Sequence, residues 1–377
     1  MEYFMLRLSF RRVMLVPFLL LLVLGCEREV KPIKIGFVGG LTGRVAGLGI
    51  SGRDGALLAV EEVNAAGGIN GRNVVLVVKD DKQDPTAAKQ GVAELIKEDV
   101  VAIIGHMTSS MTAVTLPLVN QAEKLMISPT SKSDLFSGKD DYLLRVTAPS
   151  SFNARKIAEL ACQEMGLKRF AVVYDLNNAA FTESWANQFR KDFEACGGNI
   201  AVAKGFHSGT ADLSFFNLVT EISVIKPDAL LVLASALDAA LIMQQLKKVG
   251  LSIPVFASEW SFTSDILNYG GRAVEGLISF HSFNSSSQRT IYIEHKAKFI
   301  QRFGYEPSFA SVLSYDATKL LLYGLEQNPN PAEIKQTLLG IGTFPALQAD
   351  ITFDKYGDVT RKLFHTVISD GQFKVVN

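Results

Sequence analysis

Two serines, Ser109 and Ser110, follow the short apolar strand Val101–Ile104 and the segment Gly105-His106-Met107-Thr108, where a helix begins. The first turn of a helix leaves backbone N–H groups without partners and carries the positive end of the helix dipole. Hydroxyls added there suit an anion, a carboxylate being a natural guest. Plain N-capping by the same serines is the competing reading. Thr130 and Ser131, just past the strand at Met126-Ile127, offer a second set of hydroxyls and N–H groups. In the later part of the chain, Ser258-Glu259-Trp260 follow the strand Val255-Phe256. A carboxylate at that strand end is well placed for an ammonium, the alternative being a solvated loop glutamate. Phe181 and Trp185, at the start of a helix, are candidates to wall an apolar pocket or to pack in the core.

Catalytic chemistry finds little support. No Ser/His/Asp or Cys/His arrangement has a defensible order, and His106, His207 and His281 each lack a suitable neighbour in sequence. The five histidines are scattered, with no Cys/His cluster at metal-ligand spacing. Gly47-Leu48-Gly49-Ile50-Ser51-Gly52 spells G-x-G-x-x-G, which invites a dinucleotide. That fingerprint needs its first glycine to turn the chain directly off the strand. Here the motif starts nine residues after Val38, and Asp80 lies 28 residues beyond Gly52. A mobile glycine-rich loop at a cleft edge is the better expectation. No cofactor and no metal are expected, and the chain is read as a binder and not an enzyme.

The elements that must hold these residues alternate. Strands are expected at Ile33–Val38, Val74–Val78, Val101–Ile104 and Met126-Ile127, with helices at Arg53–Ala66, Pro85–Glu98 and after Ser110. A second series follows: helix Phe152–Met165, strand Phe170–Tyr174, helix Glu183–Ala195, strand Ile200–Ala203, helix Leu213–Ile225, strand Ala229–Leu233, helix Leu237–Val249 and strand Val255-Phe256. Continuous apolar strands between amphipathic helices indicate parallel sheets covered on both faces, so the fold class is α/β with two doubly wound units. Ligands of such sheets sit beyond the carboxyl ends of the strands, which is where Ser109, Thr130 and Glu259 fall. Helices Ile291–Phe303 and Ser314–Gln327 come after a serine-rich stretch. The last strands, Ile351–Phe353 and Leu363–Ser369, flank a turn at Lys355–Asp358.

The N-terminus reads as a secretory leader. Arg7, Arg11 and Arg12 precede an apolar run from Val13 to Leu24, closed by Gly25-Cys26. The run is too short for a bilayer-spanning helix, which needs roughly 20 apolar residues. The lipobox-like Val23-Leu24-Gly25-Cys26 marks Cys26 for lipidation, with residues 1–25 removed and residues 26–32 as a tether. Removing residues 1–25 takes away three arginines and one glutamate; 38 basic and 38 acidic side chains become 35 and 37, a net charge of −2. So neutral a surface excludes nucleic acid as a partner. Cys162 and Cys196 remain, either as a disulfide or as two separate buried thiols.

The ordered set Ile35-Gly36, Leu41-Thr42-Gly43, Asn64–Arg72, Asp80–Pro85, Ile104-Gly105-His106, Ile127-Ser128-Pro129, Leu143-Leu144-Arg145, Glu275-Gly276-Leu277 and Tyr315-Asp316-Ala317 resembles the leucine/isoleucine/valine-binding type of extracytoplasmic solute receptor, the capture component of ABC importers. The resemblance implies a type I periplasmic binding fold with three hinge crossings near Thr147, Phe283 and Thr343. Lobe 1 would comprise residues 33–146 and 283–342, and lobe 2 residues 147–282 and 343–377. It also implies hinge closure on an amino acid or related carboxylate. Delivery would be to an ABC permease with its ATPase subunits, by a monomer held at the membrane only through its lipid, in the periplasm or on the outer cell face. A sensory protein feeding a separate receptor is the alternative. By resemblance Ser109 (with Ser110) takes the ligand's carboxylate, Thr130 (with Ser131) lends a backbone group, Glu259 receives the α-ammonium and Phe181 forms an aromatic wall. Departures mark specificity: Lys132 replaces a threonine, where a cation would suit an extra carboxylate or turn outward. Leu48 and Ser235 replace aromatics, and Trp260 neighbours the acid.

Overall fold

Residues 31–376 are described by the computed structural model; the leader and Cys26 lie outside them. β1 (Ile33–Gly39) leads into α1 (Ala46–Ala65), β2 (Val74–Asp80), α2 (Pro85–Lys97), β3 (Ile103–Ile104), α3 (Ser109–Gln121), β4 (Met126–Ser128) and β5 (Leu143–Arg145). The strands pair in the order β2-β1-β3-β4-β5, every pair parallel. Ile35 and Phe37 of β1 are fully buried on one face of this sheet and Val38 on the other. That two-faced burial is why the strand reads as an apolar run from Ile35 on, with Lys34 the one charge at its start. Local chemistry sets the helix starts: the Asp84 carboxylate accepts from the N–H groups of Thr86 and Ala87, with Pro85 in the first turn of α2.

The second series is α4 (Ser150–Glu159), β6 (Arg169–Asp175), α5 (Ala179–Ala195), β7 (Asn199–Phe206), α6 (Phe215–Ile225), β8 (Ala229–Leu233), α7 (Ala236–Val249), β9 (Val255–Ala257), α8 (Ser264–Gly270) and β10 (Ile278–His281). Its parallel order, β7-β6-β8-β9-β10, repeats that of the first sheet. The chain then returns through α9 (Thr290–Phe303), α10 (Phe309–Gln327) and α11 (Ile334–Gly340), and α10 packs along α1. β11 (Thr343–Phe344) and β12 (Ile351–Thr352) form a small separate ladder. β13 (Phe364–Ser369) and β14 (Gln372–Val376) add an antiparallel edge beyond β10, so the second sheet has seven strands. The two strands expected to flank the turn at Lys355–Asp358 therefore belong to different sheets.

The glycine-rich segment is not a loop. Gly47–Gly52 lie inside α1, which starts at Ala46 and not at Arg53. Glycine is a poor helix former, but here close packing requires it. A Cβ on Gly49 would stand 2.0 Å from the Gly40 carbonyl oxygen, and one on Gly55 the same distance from that of Ser311 in α10. Helix α10 likewise starts early, at Phe309, because Ser308 and Ser311 form a reciprocal capping box. Cys162, in the helical turn after α4, and Cys196, which ends α5, are joined in a disulfide.

Candidate functional site

The carboxyl ends of both sheets face one cavity. Leu48 of α1 lines it from the first half, with Met107, Thr108 and Ser109 after β3, and Thr130 and Lys132 after β4. Asn178 and Phe181 after β6, Glu259 and Trp260 after β9, and His281 and Ser282 at the end of β10 line it from the second. Thr147, on the passage between the halves, and Phe309 and Leu313 of α10 complete the wall. Its volume is about 30 Å³, room for roughly two waters, so the walls stand close together. Phe181 and Trp260 meet edge to face, 6.1 Å between ring centres.

Ser109 is held by a network that joins the ends of β3 and β4. His106 is buried and its Nδ1 donates to the Asp81 carboxylate at 2.7 Å, while its carbonyl accepts from the hydroxyls of Ser128 and Ser131. The Thr130 hydroxyl donates to the Met107 carbonyl at 2.6 Å. Ser109 Oγ accepts from the N–H groups of Lys132 and Ser133, at 3.1 and 3.2 Å. With both lone-pair directions engaged, its own proton remains to donate into the cavity. Beside it lie the first N–H groups of α3, so this end of the cavity is built for an acceptor with negative charge.

The opposite end carries the charges. Lys132 turns inward: its Nζ lies 2.9 Å from Glu259 Oε1 and donates to Asn153 Oδ1 at 3.1 Å, with Lys132 and Glu259 both buried. The Lys132–Glu259 contact is a charge pair without hydrogen-bond geometry, and both Glu259 oxygens are buried with no hydrogen-bond partner among the described residues. His281 completes the cluster. Burial, with the Lys132 charge adding to it, pushes its pKa down to about 3, so the ring is neutral. Its Nδ1 accepts from the Phe283 N–H at 3.2 Å, which assigns the proton to Nε2, and that atom has no partner.

Of the residues singled out from sequence, Ser109, Thr130, Lys132, Phe181, Glu259, Trp260 and Leu48 are thus brought together. Ser110, Ser131 and Ser235 are not among the lining residues. Ser110 links the halves instead, its N–H donating to Asn178 Oδ1 at 3.1 Å and its Oγ accepting from the Ala180 N–H at 3.2 Å. The Ser131 hydroxyl is engaged with Thr112 and His106, and Ser235 caps α7. Trp185 packs in the core against Phe189. The fold gives two of the scattered histidines partners: His106 bonds the Asp81 carboxylate, and His281 accepts from the Phe283 N–H two residues on and lies near the Lys132 charge. His281 is named from sequence only among histidines without a suitable neighbour, and its four-residue strand lies outside the expected elements.

Outside the cavity the halves meet through Arg44, which donates to the buried Asp238 carboxylate and, at 2.9 Å, to Ser208 Oγ. Ser208 and Ser235 donate to the other Asp238 oxygen.

A family model for periplasmic binding proteins matches residues 32–372. The leucine-, isoleucine-, valine-, threonine- and alanine-binding protein of Pseudomonas aeruginosa is 26% identical over 334 residues, 87% of each chain. The branched-chain amino acid transporter substrate-binding protein of Streptococcus pneumoniae, solved with isoleucine, superposes with a TM-score of 0.84 at 25% identity, covering 92% of this chain and 99% of that one. A solute-binding protein of Rhodopseudomonas palustris, solved with 3,4-dihydroxybenzoic acid, gives 0.81 at 22% identity over 91% and 95%. The chain belongs to the periplasmic binding protein family.

Proposed function

We propose that this protein is the substrate-binding component of an ABC importer, capturing an amino acid or a related small carboxylate between two lobes and delivering it to a membrane permease. The observation that carries the reading is the Ser109 hydroxyl and the α3 N-terminus facing Glu259 across an apolar-walled cavity. That arrangement suits a ligand with a carboxylate at one end and hydrogen-bond donors at the other. The names of the P. aeruginosa and S. pneumoniae relatives, which refer to branched-chain amino acids, support the same class. Two closely spaced walls imply that entry needs the halves to part, the hinge being the three passages between residues 33–146 with 283–342 and residues 147–282 with 343–377. Cys26 is proposed as the lipidated first residue of an exported, monomeric protein.

Thermal denaturation of the purified protein against amino acids, small carboxylates and amides tests this. A true ligand at 100 times its Kd adds about 2.7 kcal/mol of stability, and Ser109→Ala should weaken that ligand by roughly tenfold. If no member of the panel moves the melting curve, the reading is wrong.

A further inference from the structure

Glu259 already has a cation. Lys132 Nζ lies 2.9 Å from its carboxylate, both groups are buried, and Glu259 is the one acidic side chain among the described lining residues. A zwitterionic amino acid would bring its ammonium to this carboxylate and so beside the Lys132 ammonium, two like charges in a site shielded from water. Lys132 attends Oε1 alone, and Glu259 Oε2 is buried with no partner among the described residues; a buried acceptor left so is destabilising. What satisfies it without a second positive charge is a neutral O–H or N–H. The His281 Nε2–H, buried and unpartnered in the same cluster, asks in turn for an acceptor atom. A hydroxyl has an atom for each, a proton for Glu259 and a lone pair for His281, both of which line the cavity. We propose that the ligand is a small carboxylate whose group facing Glu259 is a hydroxyl, a 2-hydroxy acid in the simplest case, and that Lys132 is the residue that excludes its α-amino counterpart. This rests on the capture of a carboxylate proposed above and narrows its class.

Titration calorimetry of the purified protein against matched triplets decides it. Each triplet shares one skeleton: lactate, alanine and propanoate; 2-hydroxy-4-methylpentanoate, leucine and 4-methylpentanoate; 3-phenyllactate, phenylalanine and 3-phenylpropanoate. In whichever skeleton fits, the hydroxy acid should bind at least about tenfold tighter than both its amino and its unsubstituted twin. Lys132→Met should reverse the order between hydroxy and amino acid, because the ligand's ammonium then becomes the partner of Glu259. An amino acid that binds wild type as tightly as its hydroxy twin overturns the inference and leaves the capture of a carboxylate standing. An unsubstituted acid that equals the hydroxy acid overturns the hydroxyl assignment. If no acid of any triplet binds, the carboxylate reading itself falls, and this inference with it. Should Lys132→Met fail to fold, the wild-type triplets decide alone.

Discussion

Asp175, at the end of β6, shows how the second half tolerates a buried acid beside the cleft. Its Oδ1 accepts from the N–H groups of Asn177 and Ser208, at 2.9 and 3.3 Å. Burial nevertheless pushes its pKa from the ordinary 3.8 up to about 6, with the nearby Asp238 charge adding to the rise. An acid with a raised native pKa holds its proton longer folded than unfolded. Its stabilising contribution is complete below about pH 4 and is lost as the pH rises through about 6. Asp175→Asn keeps an acceptor for both N–H groups and has no charge to bury. It should equal wild type at pH 4 and exceed it at pH 8 by about 2 kcal/mol; urea midpoints at the two values check this. A gain of the same size at both would remove Asp175 as the source. At this scale Ser109, Thr130 and Glu259 were legible in the sequence because strand ends mark where ligands sit. The inward turn of Lys132 was not, since it depends on Glu259 and Asn153 arriving from other elements. Ser110, Ser131 and Ser235 show the limit of reading hydroxyls by position: their partners are protein groups that only the fold supplies.

Among elements, α10 packs along α1 with its backbone close to that of Gly55. A Cβ at position 55 would meet the Ser311 carbonyl oxygen at 2.0 Å and its carbonyl carbon at 2.7 Å, so α10 would have to withdraw. Gly55→Ala should therefore destabilise the protein by about 1–3 kcal/mol, although alanine is the better helix former; an unchanged or raised melting temperature would contradict the packing argument. Phe309 and Leu313 of α10 also line the cavity, so the same variant should weaken ligand binding. The conflict between propensity and packing explains why the start of α1 was misplaced from sequence: Gly49, which looks like part of a loop, sits in the helix because its lack of a Cβ lets it approach Gly40. Long apolar strands were legible, β8 at its observed limits of Ala229 and Leu233. β5, β10 and β14 were missed because none is a continuous apolar run: Leu143–Arg145 ends on a charge, and Ile278–His281 and Gln372–Val376 interleave polar residues.

Across the whole molecule, pairs of groups from opposite halves are in contact: Lys132 with Glu259, Ser110 with Asn178, and Arg44 with Asp238. Arg44 is partly exposed while Asp238 is fully buried, so the pair is strengthened on one side only and is worth less than a buried one. Arg44→Ala should lower the population of the closed form and weaken every ligand by several-fold, without changing their rank order. Calorimetric titration of two ligands against both proteins tests this, and an altered rank order would place Arg44 in recognition instead of closure.

The repeated strand order has a consequence for how a ligand arrives. Both sheets are wound so that α1, α3 and α5 each begin past the carboxyl end of a strand, and each puts a residue on the cavity wall. Their amide dipoles point positive ends into one opening from both halves. With residues 1–25 removed the chain carries a net charge of only −2, so the helix ends are a local source of positive potential on a nearly neutral molecule. The backbone itself thus favours the negative end of a ligand on this side of the cavity, alongside the Ser109 hydroxyl.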